Sequence, residues 1–163
     1  MRRLALAFAA LGLGACAADL DQGRPAPVVD EAFFRCRVQP VLAQSCAMLA
    51  CHGDERRAFR VYARNRLRLD PAESKRNALF ADEERAANLA SARALIDLDD
   101  PAGSYLLLKG LESSAGGYFH RGATIFGEGN VFDGRDAADY KTLVDWVGGK
   151  SADPTCVEPG SDQ

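Results

Sequence analysis

The sequence has no surplus of basic charge. Twenty lysines and arginines stand against 23 aspartates and glutamates, a formal net charge of −3. A nucleic-acid binder would carry the opposite balance. Long apolar runs are missing as well: the stretch from Leu4 to Ala15 is too short to span a bilayer comfortably. No internal repeat is present, and no paired carboxylates or nucleophile constellation point to a hydrolase. Methionine and histidine are limited to two each, so ligand chemistry that needs them rests on Met1, Met48, His52 and His120. What remains is ordinary. At 47% apolar and 26% charged, the composition is that of a globular chain, and 163 residues suffice for one modest domain with a single core.

The first residues, MRRLALAFAALGLGAC, combine two arginines, a short apolar run and small residues, the pattern of a secretory signal. Leu13-Gly14-Ala15-Cys16 resembles the lipobox of bacterial lipoproteins. That resemblance implies cleavage after residue 15, lipidation of Cys16 and a membrane anchor through acyl chains. Ordinary signal cleavage with a free Cys16 is the alternative. Ala17 lacks the acidic character that marks inner-membrane retention in some lipoproteins, which favours the outer membrane. Residues 16–29 are polar with glycine and proline and read as a flexible tether. A folded domain is expected over 30–157, with a tail at 158–163.

Within that domain, acidic residues open a helix whose face carries Phe34, Val38, Val41 and Leu42, and Pro40 should kink or restart it. Alternation of Phe59, Val61, Ala63, Leu67 and Leu69 with polar residues predicts a loop and a short strand. A helix capped by Asp82 should present Ala86, Leu89, Ala92 and Ile96. Asp100, Pro101 and Gly110 punctuate another. The glycine-rich stretch from Ser113 to Gly134 carries Tyr118, Phe119, Ile125, Phe126, Val131 and Phe132 and should pack against something. A closing helix presents Tyr140, Leu143, Val144 and Val147 and ends at Gly148-Gly149. The fold class expected is all-α, with short irregular or β segments.

The five cysteines are Cys16, Cys36, Cys46, Cys51 and Cys156. Export places them in an oxidising compartment, where an odd count needs an explanation. The lipid would take Cys16. Cys46 and Cys51 lie in CAMLACHGD, directly ahead of His52. In a covalent haem site a thiol adds to each vinyl group and the adjoining imidazole ligates the iron, so adjacency of Cys51 and His52 brings all three into reach. The usual motif has two residues between the cysteines; here there are four. On the motif alone, a Cys46–Cys51 disulfide beside an ordinary histidine is an equal alternative. Zinc held by Cys46, Cys51, His52 and His120 is a third. If the opening and closing helices pack together, Cys36 and Cys156 can meet and close a loop of roughly 120 residues, contributing about 4–5 kcal/mol on the chain-entropy estimate. Otherwise the two thiols stay unpaired or pair elsewhere. The arginine-rich run from Arg56 to Arg68 reads first as a solvated basic face, with haem propionates or an acidic partner as the other uses.

Taken in order, these pieces resemble the planctomycete-type cytochrome c domains. Val38, Pro40, Val41 and Leu42 precede Cys46; Cys51-His52-Gly53 follows; then come Leu67-Arg68-Leu69-Asp70 and Asp100-Pro101, Ser104 and Leu106-Leu107. The closing DYKTLVDWVGG is similar to the last helix of related exported cytochromes. The resemblance covers most of 30–150. It implies a cytochrome c-like domain with one covalent haem c on Cys46 and Cys51, and His52 as proximal ligand. Members of that family commonly place a methionine on the distal side. Met1 leaves with the signal and Met48 lies inside the attachment loop, so the His-x-Gly at His120 is the distal ligand expected here. Bis-histidine ligation would lower the potential relative to a histidine–methionine site. With no ligation by His120, the site would be open or use Lys109. The function implied is one-electron transfer in the periplasm by a lipid-anchored carrier, not an enzyme, exchanging electrons with periplasmic or membrane redox proteins and binding no nucleic acid. An open-site haem enzyme or sensor, and a haem-free, disulfide-stapled lipoprotein that acts as a binding module, are the alternatives.

Overall fold

A computed structural model of the chain describes residues 27–120 and 130–159. The expected signal segment, Cys16 with its expected lipidation, most of the expected tether, Ile125, Phe126 and the last four residues lie outside the described residues. Of those described, 41% are helical and 2% are in strand pairing. The chain is therefore mostly α-helical, and no described helix is long and apolar enough to cross a membrane.

The opening helix, α1, is continuous over residues 31–46. Asp30 caps it by accepting the Phe33 amide at 2.6 Å. Pro40 does not restart it, for the helix runs through that position unbroken. Proline has no N–H to give the preceding turn, and the chain widens instead. A π turn at Phe34–Val38 lets the Gln39 amide reach back to the Phe34 carbonyl. A second π turn, Leu42–Cys46, closes with the Ala47 amide on the Leu42 carbonyl at 3.0 Å. Wide turns of this kind are rare and gather at functional sites. Here the second one delivers Cys46.

The closing helix, α4, spans Ala138–Val147 and packs on α1. Its buried face is Tyr140, Leu143, Trp146 and Val147. Val144, expected on that face, is 40% exposed, and Trp146 takes the inner position. The indole explains the choice. Its ring lies 5.2 Å from that of Phe34, and its Nε1 donates to the Asp30 carbonyl at 2.9 Å. One residue thus fills the core and ties α4 to the start of α1. Gly149 then turns the chain out of the helix at φ +86°.

Between these two, α2 spans Asp82–Arg93 and α3 is a short helix at Tyr105–Leu108. Two expectations about α2 change. Asp82 is its first helical residue rather than its cap, and Glu84 accepts the Ala81 amide at 3.1 Å instead. Ala86 is exposed, and the buried face is Glu84, Asn88, Leu89 and Ala92. The helix expected after Asp100 is broken into a 3-10 turn, Pro101–Gly103, and α3. Buried Ser104 separates them, its hydroxyl donating to the Pro101 carbonyl at 2.6 Å and accepting the Asp97 amide at 3.0 Å.

The expected strand in 59–69 does not form. The alternation fails as well, since Val61, Tyr62 and Ala63 are all buried and Leu69 is exposed, and Tyr62 finds its backbone partners in a side chain. Asn88 accepts the Tyr62 amide at 2.8 Å and donates to its carbonyl at 3.0 Å. An extended segment satisfied this way needs no neighbouring strand. Among the described residues, strand pairing is confined to one isolated parallel bridge between Leu111 and Phe132.

The arginine run is also less solvated than expected. The Arg68 side chain is 6% exposed and its guanidinium grips buried Glu84 through Nε at 2.8 Å and Nη2 at 2.7 Å. The same group donates to the carbonyls of Lys75, Arg76, Ala78 and Leu79. It gathers the whole loop from 69 to 81 around one charge. Arg56, by contrast, lies on the surface and pairs with Asp54.

Cys36 and Cys156 form a disulfide, with Cα atoms 5.5 Å apart and a sequence separation of 120. The expected packing of the first and last helices makes the bond possible.

Candidate functional site

The loop that leaves α1 at Cys46 is wound tightly around two carbonyls. The amides of Cys51 and Gly53 both donate to Met48, at 2.8 and 3.0 Å, and the His52 amide donates to Cys46 at 3.1 Å. Four residues between the cysteines are thereby accommodated in a compact turn. Gly53 makes it possible. A Cβ there would stand 2.1 Å from the Ala47 carbonyl oxygen, so only glycine allows the chain to cross itself directly after His52.

His52 is fixed from two directions. Its Nδ1 lies 2.8 Å from the Phe59 carbonyl, and the Phe59 ring stands edge-on to the imidazole at 4.6 Å. A carbonyl only accepts, so Nδ1 carries the proton and Nε2 keeps its lone pair. This is how a metal-ligating histidine is usually oriented. Burial lowers the His52 pKa and Arg57 adds to that effect, against the opposing pull of the Phe59 bond. The imidazole is held neutral, as a ligand must be.

His120 arrives from the segment after α3. Ser113–Ala115 forms a 3-10 turn, Gly116 reverses the chain at φ +90°, and the Tyr118 amide then donates to the Leu108 carbonyl at 2.8 Å. These bonds carry His120 over the same cavity that His52 faces. The two rings stand 5.9 Å apart, centre to centre, with planes inclined by 26°. Nδ1 of His120 is buried and has no hydrogen-bond partner. Burial lowers its pKa, and the nearness of His52 and the charge of Lys109 push the same way. Lys109 itself is occupied, donating from Nζ to the Phe119 carbonyl at 3.0 Å.

The cavity measures about 260 Å³, and its walls are almost entirely apolar. Leu42, Leu95, Leu106, Val131, Phe132 and Leu143 are among the residues that line it, and Cys46, Cys51, His52 and His120 lie along it. Met48 does not line it. Cys46 and Cys51 are not bonded to each other, so the disulfide alternative for this pair does not occur. Burial pushes the Cys46 thiol up to about 12, with Cys51 adding and Arg66 opposing. At neutral pH it is a protonated thiol, unlike the exposed, low-pKa thiolate of a nucleophilic or redox-exchange cysteine.

Among the described residues no group of three or more histidine, cysteine, aspartate or glutamate side chains is placed to hold a metal ion. A haem asks for less, because its macrocycle supplies four of the iron's ligands and the protein only the axial ones. Two imidazoles sharing one metal through a nitrogen each would have ring centres about 6 Å apart, given metal–nitrogen bonds of about 2.0–2.1 Å. The 5.9 Å between His52 and His120 fits that requirement. An apolar cavity, two unpaired thiols beside one imidazole, and an unsatisfied nitrogen on the other complete the fit.

Sequence reasoning reached the four chemical residues but missed their supports. The Phe59 carbonyl that orients His52 carries no side-chain signature. Gly53 was readable only as part of Cys-His-Gly. The apolar wall residues are spread over most of the domain, from Leu42 to Leu143. Compared with protein-family models, curated proteins and solved structures, the chain matches none.

Proposed function

We propose that this protein is an exported c-type cytochrome. It binds one haem covalently through Cys46 and Cys51, holds the iron between His52 and His120, and carries single electrons between periplasmic or membrane redox proteins while anchored by a lipid on Cys16. The observation that carries this reading is the approach of His52 and His120 to 5.9 Å across an apolar cavity that also holds the only two cysteines left unpaired among the described residues. Bound haem would supply a one-electron iron couple. The chain's own part is to fix both imidazoles, keep them neutral and exclude water. His52 presents Nε2 because Phe59 holds Nδ1. The apolar walls disfavour the more highly charged oxidation state, and two imidazoles in place of a thioether act in the opposite direction. The cytochrome c-like fold and the planctomycete-type family belong to the same proposal, resting on the ordered motifs and the mostly helical architecture.

The test is co-expression with a cytochrome maturation system. A Soret band that survives acid–acetone extraction, together with the added mass of one haem, is expected; a colourless, unmodified chain would refute the proposal. The distal assignment has its own check. His120→Ala should convert a low-spin ferric spectrum to high-spin and admit carbon monoxide rapidly to the ferrous form. A spectrum that does not change removes His120 from the iron.

A further inference from the structure

The two histidines of the cavity are held in different ways. His52 is fixed through its ring, by the Phe59 carbonyl. Nδ1 of His120 has no such partner, so the placement of this imidazole falls to the backbone that carries it. The Gly117 amide donates to the Glu112 carbonyl at 3.0 Å, and the Tyr118 amide to the Leu108 carbonyl at 2.8 Å. Beyond Tyr118 the main-chain bonds stop. Among the described residues, one hydrogen bond reaches Phe119 or His120: Nζ of Lys109 donates to the Phe119 carbonyl at 3.0 Å. The Phe119 side chain is 75% exposed and cannot pin the segment by packing.

Lys109 is itself braced. It ends α3, and its amide donates to the Tyr105 carbonyl at 3.0 Å. Its Nζ stands 6.0 Å from the centre of the Tyr105 ring, and that ring meets Tyr118 edge-on at 5.5 Å. Tyr105, Lys109 and His120 all line the cavity. The bond to Phe119 has a charged donor, which makes it stronger than one between neutral groups. A short helix, one ammonium group and a pair of tyrosines thus meet at the peptide next to His120.

We propose that Lys109 is a positioning residue for His120: its ammonium group holds the Phe119 carbonyl and so keeps the next residue's imidazole facing His52 across the cavity. The inference rests on the reading of His120 as the distal ligand. Lys109 supports that ligand instead of replacing it.

Carbon monoxide binding to the ferrous, haem-loaded protein tests the proposal, because the gas reaches the iron only when His120 has let go. Lys109→Met keeps the length of the stem and removes the donor. It should bind carbon monoxide roughly tenfold faster than the parent, the effect of one charge-assisted hydrogen bond on the balance between held and released His120. Lys109→Arg keeps a charged donor and should stay near the parent rate. His120→Ala sets the rate of the open site. The haem-free chain supplies a second readout: a nuclear Overhauser contact between the rings of His52 and His120, present in the parent, lost in Lys109→Met and kept in Lys109→Arg. A Lys109→Met protein that binds at the parent rate, while His120→Ala binds faster, would overturn the inference and leave the distal ligand in place. If His120→Ala also binds at the parent rate, the distal reading fails and the inference with it. Lys109→Arg as fast as Lys109→Met, or a ring contact untouched by Lys109→Met, would overturn it too. So would a lower thermal melt of Lys109→Met with both readouts unchanged, which would reduce Lys109 to a structural role.

Discussion

His52 is useful because of the backbone on either side of it. Its amide is spent on Cys46, its carbonyl accepts the Val61 amide at 2.8 Å, and its ring nitrogen is held by Phe59. Gly53 allows this density of bonds. Gly53→Ala would drive a Cβ into the Ala47 carbonyl, and the loop would have to open. We expect a loss of about 1–3 kcal/mol, measured by chemical denaturation, and lower covalent haem incorporation under the proposed function. Unchanged stability and incorporation would mean that the loop relaxes freely. At this scale the sequence was generous with chemistry and silent about support. Cysteine and histidine announce themselves by type. A carbonyl such as that of Phe59 belongs to every residue, and only the folded chain selects it.

At the scale of elements, α2 and the loop before it are joined through Glu84. Four donors converge on that carboxylate: two from Arg68 and the amides of Leu69 and Ala81. Burial acts to raise the Glu84 pKa, but the Arg68 bonds and the two amides outweigh it and the net shift is downward from 4.5. The folded protein therefore keeps Glu84 ionised at pH values where the unfolded chain would protonate it. Its contribution is complete above pH 4.5 and fades as the pH falls through the lower folded value. Glu84→Gln should cost about 3–5 kcal/mol at neutral pH, the usual effect of breaking a buried pair. The variant's stability should also lose much of its dependence on pH in the acid range. Denaturant melts from pH 7 to pH 3 would show both effects; parallel curves for parent and variant would exclude this role.

Helix positions were legible from periodicity, and their details were not. Val144 and Trp146 are both apolar, and only the partner atoms at Asp30 and Phe34 decide which turns inward. Ala86 lost its place to Glu84 and Asn88 because polar side chains with fixed partners can be buried. The π turns of α1 shift the register by one residue each, which a pattern built on 3.6 residues per turn cannot anticipate. The missing strand has the same kind of cause, a side chain acting where a second strand was expected.

For the molecule as a whole, the disulfide is the main long-range constraint. Cys36–Cys156 closes nearly the entire domain into one ring. Its reduction should destabilise the protein by about 4–5 kcal/mol on the chain-entropy model, read as a lower denaturation midpoint with a thiol reductant present. An unchanged midpoint would place the constraint elsewhere. The pairing was open to inference once the outer helices were expected to pack.

That ring also governs how the protein bears load. Under the proposed function the domain would be tethered at one end and pulled through its first residues, and the chain enters and leaves the ring at Cα atoms 5.5 Å apart. Tension applied across the two ends would pass through a sulfur–sulfur bond and bypass the cavity. In an optical trap the intact domain would yield only the short segments outside the ring. Adding a reductant would free the 120-residue separation, roughly 400 Å of contour at about 3.3–3.6 Å per residue.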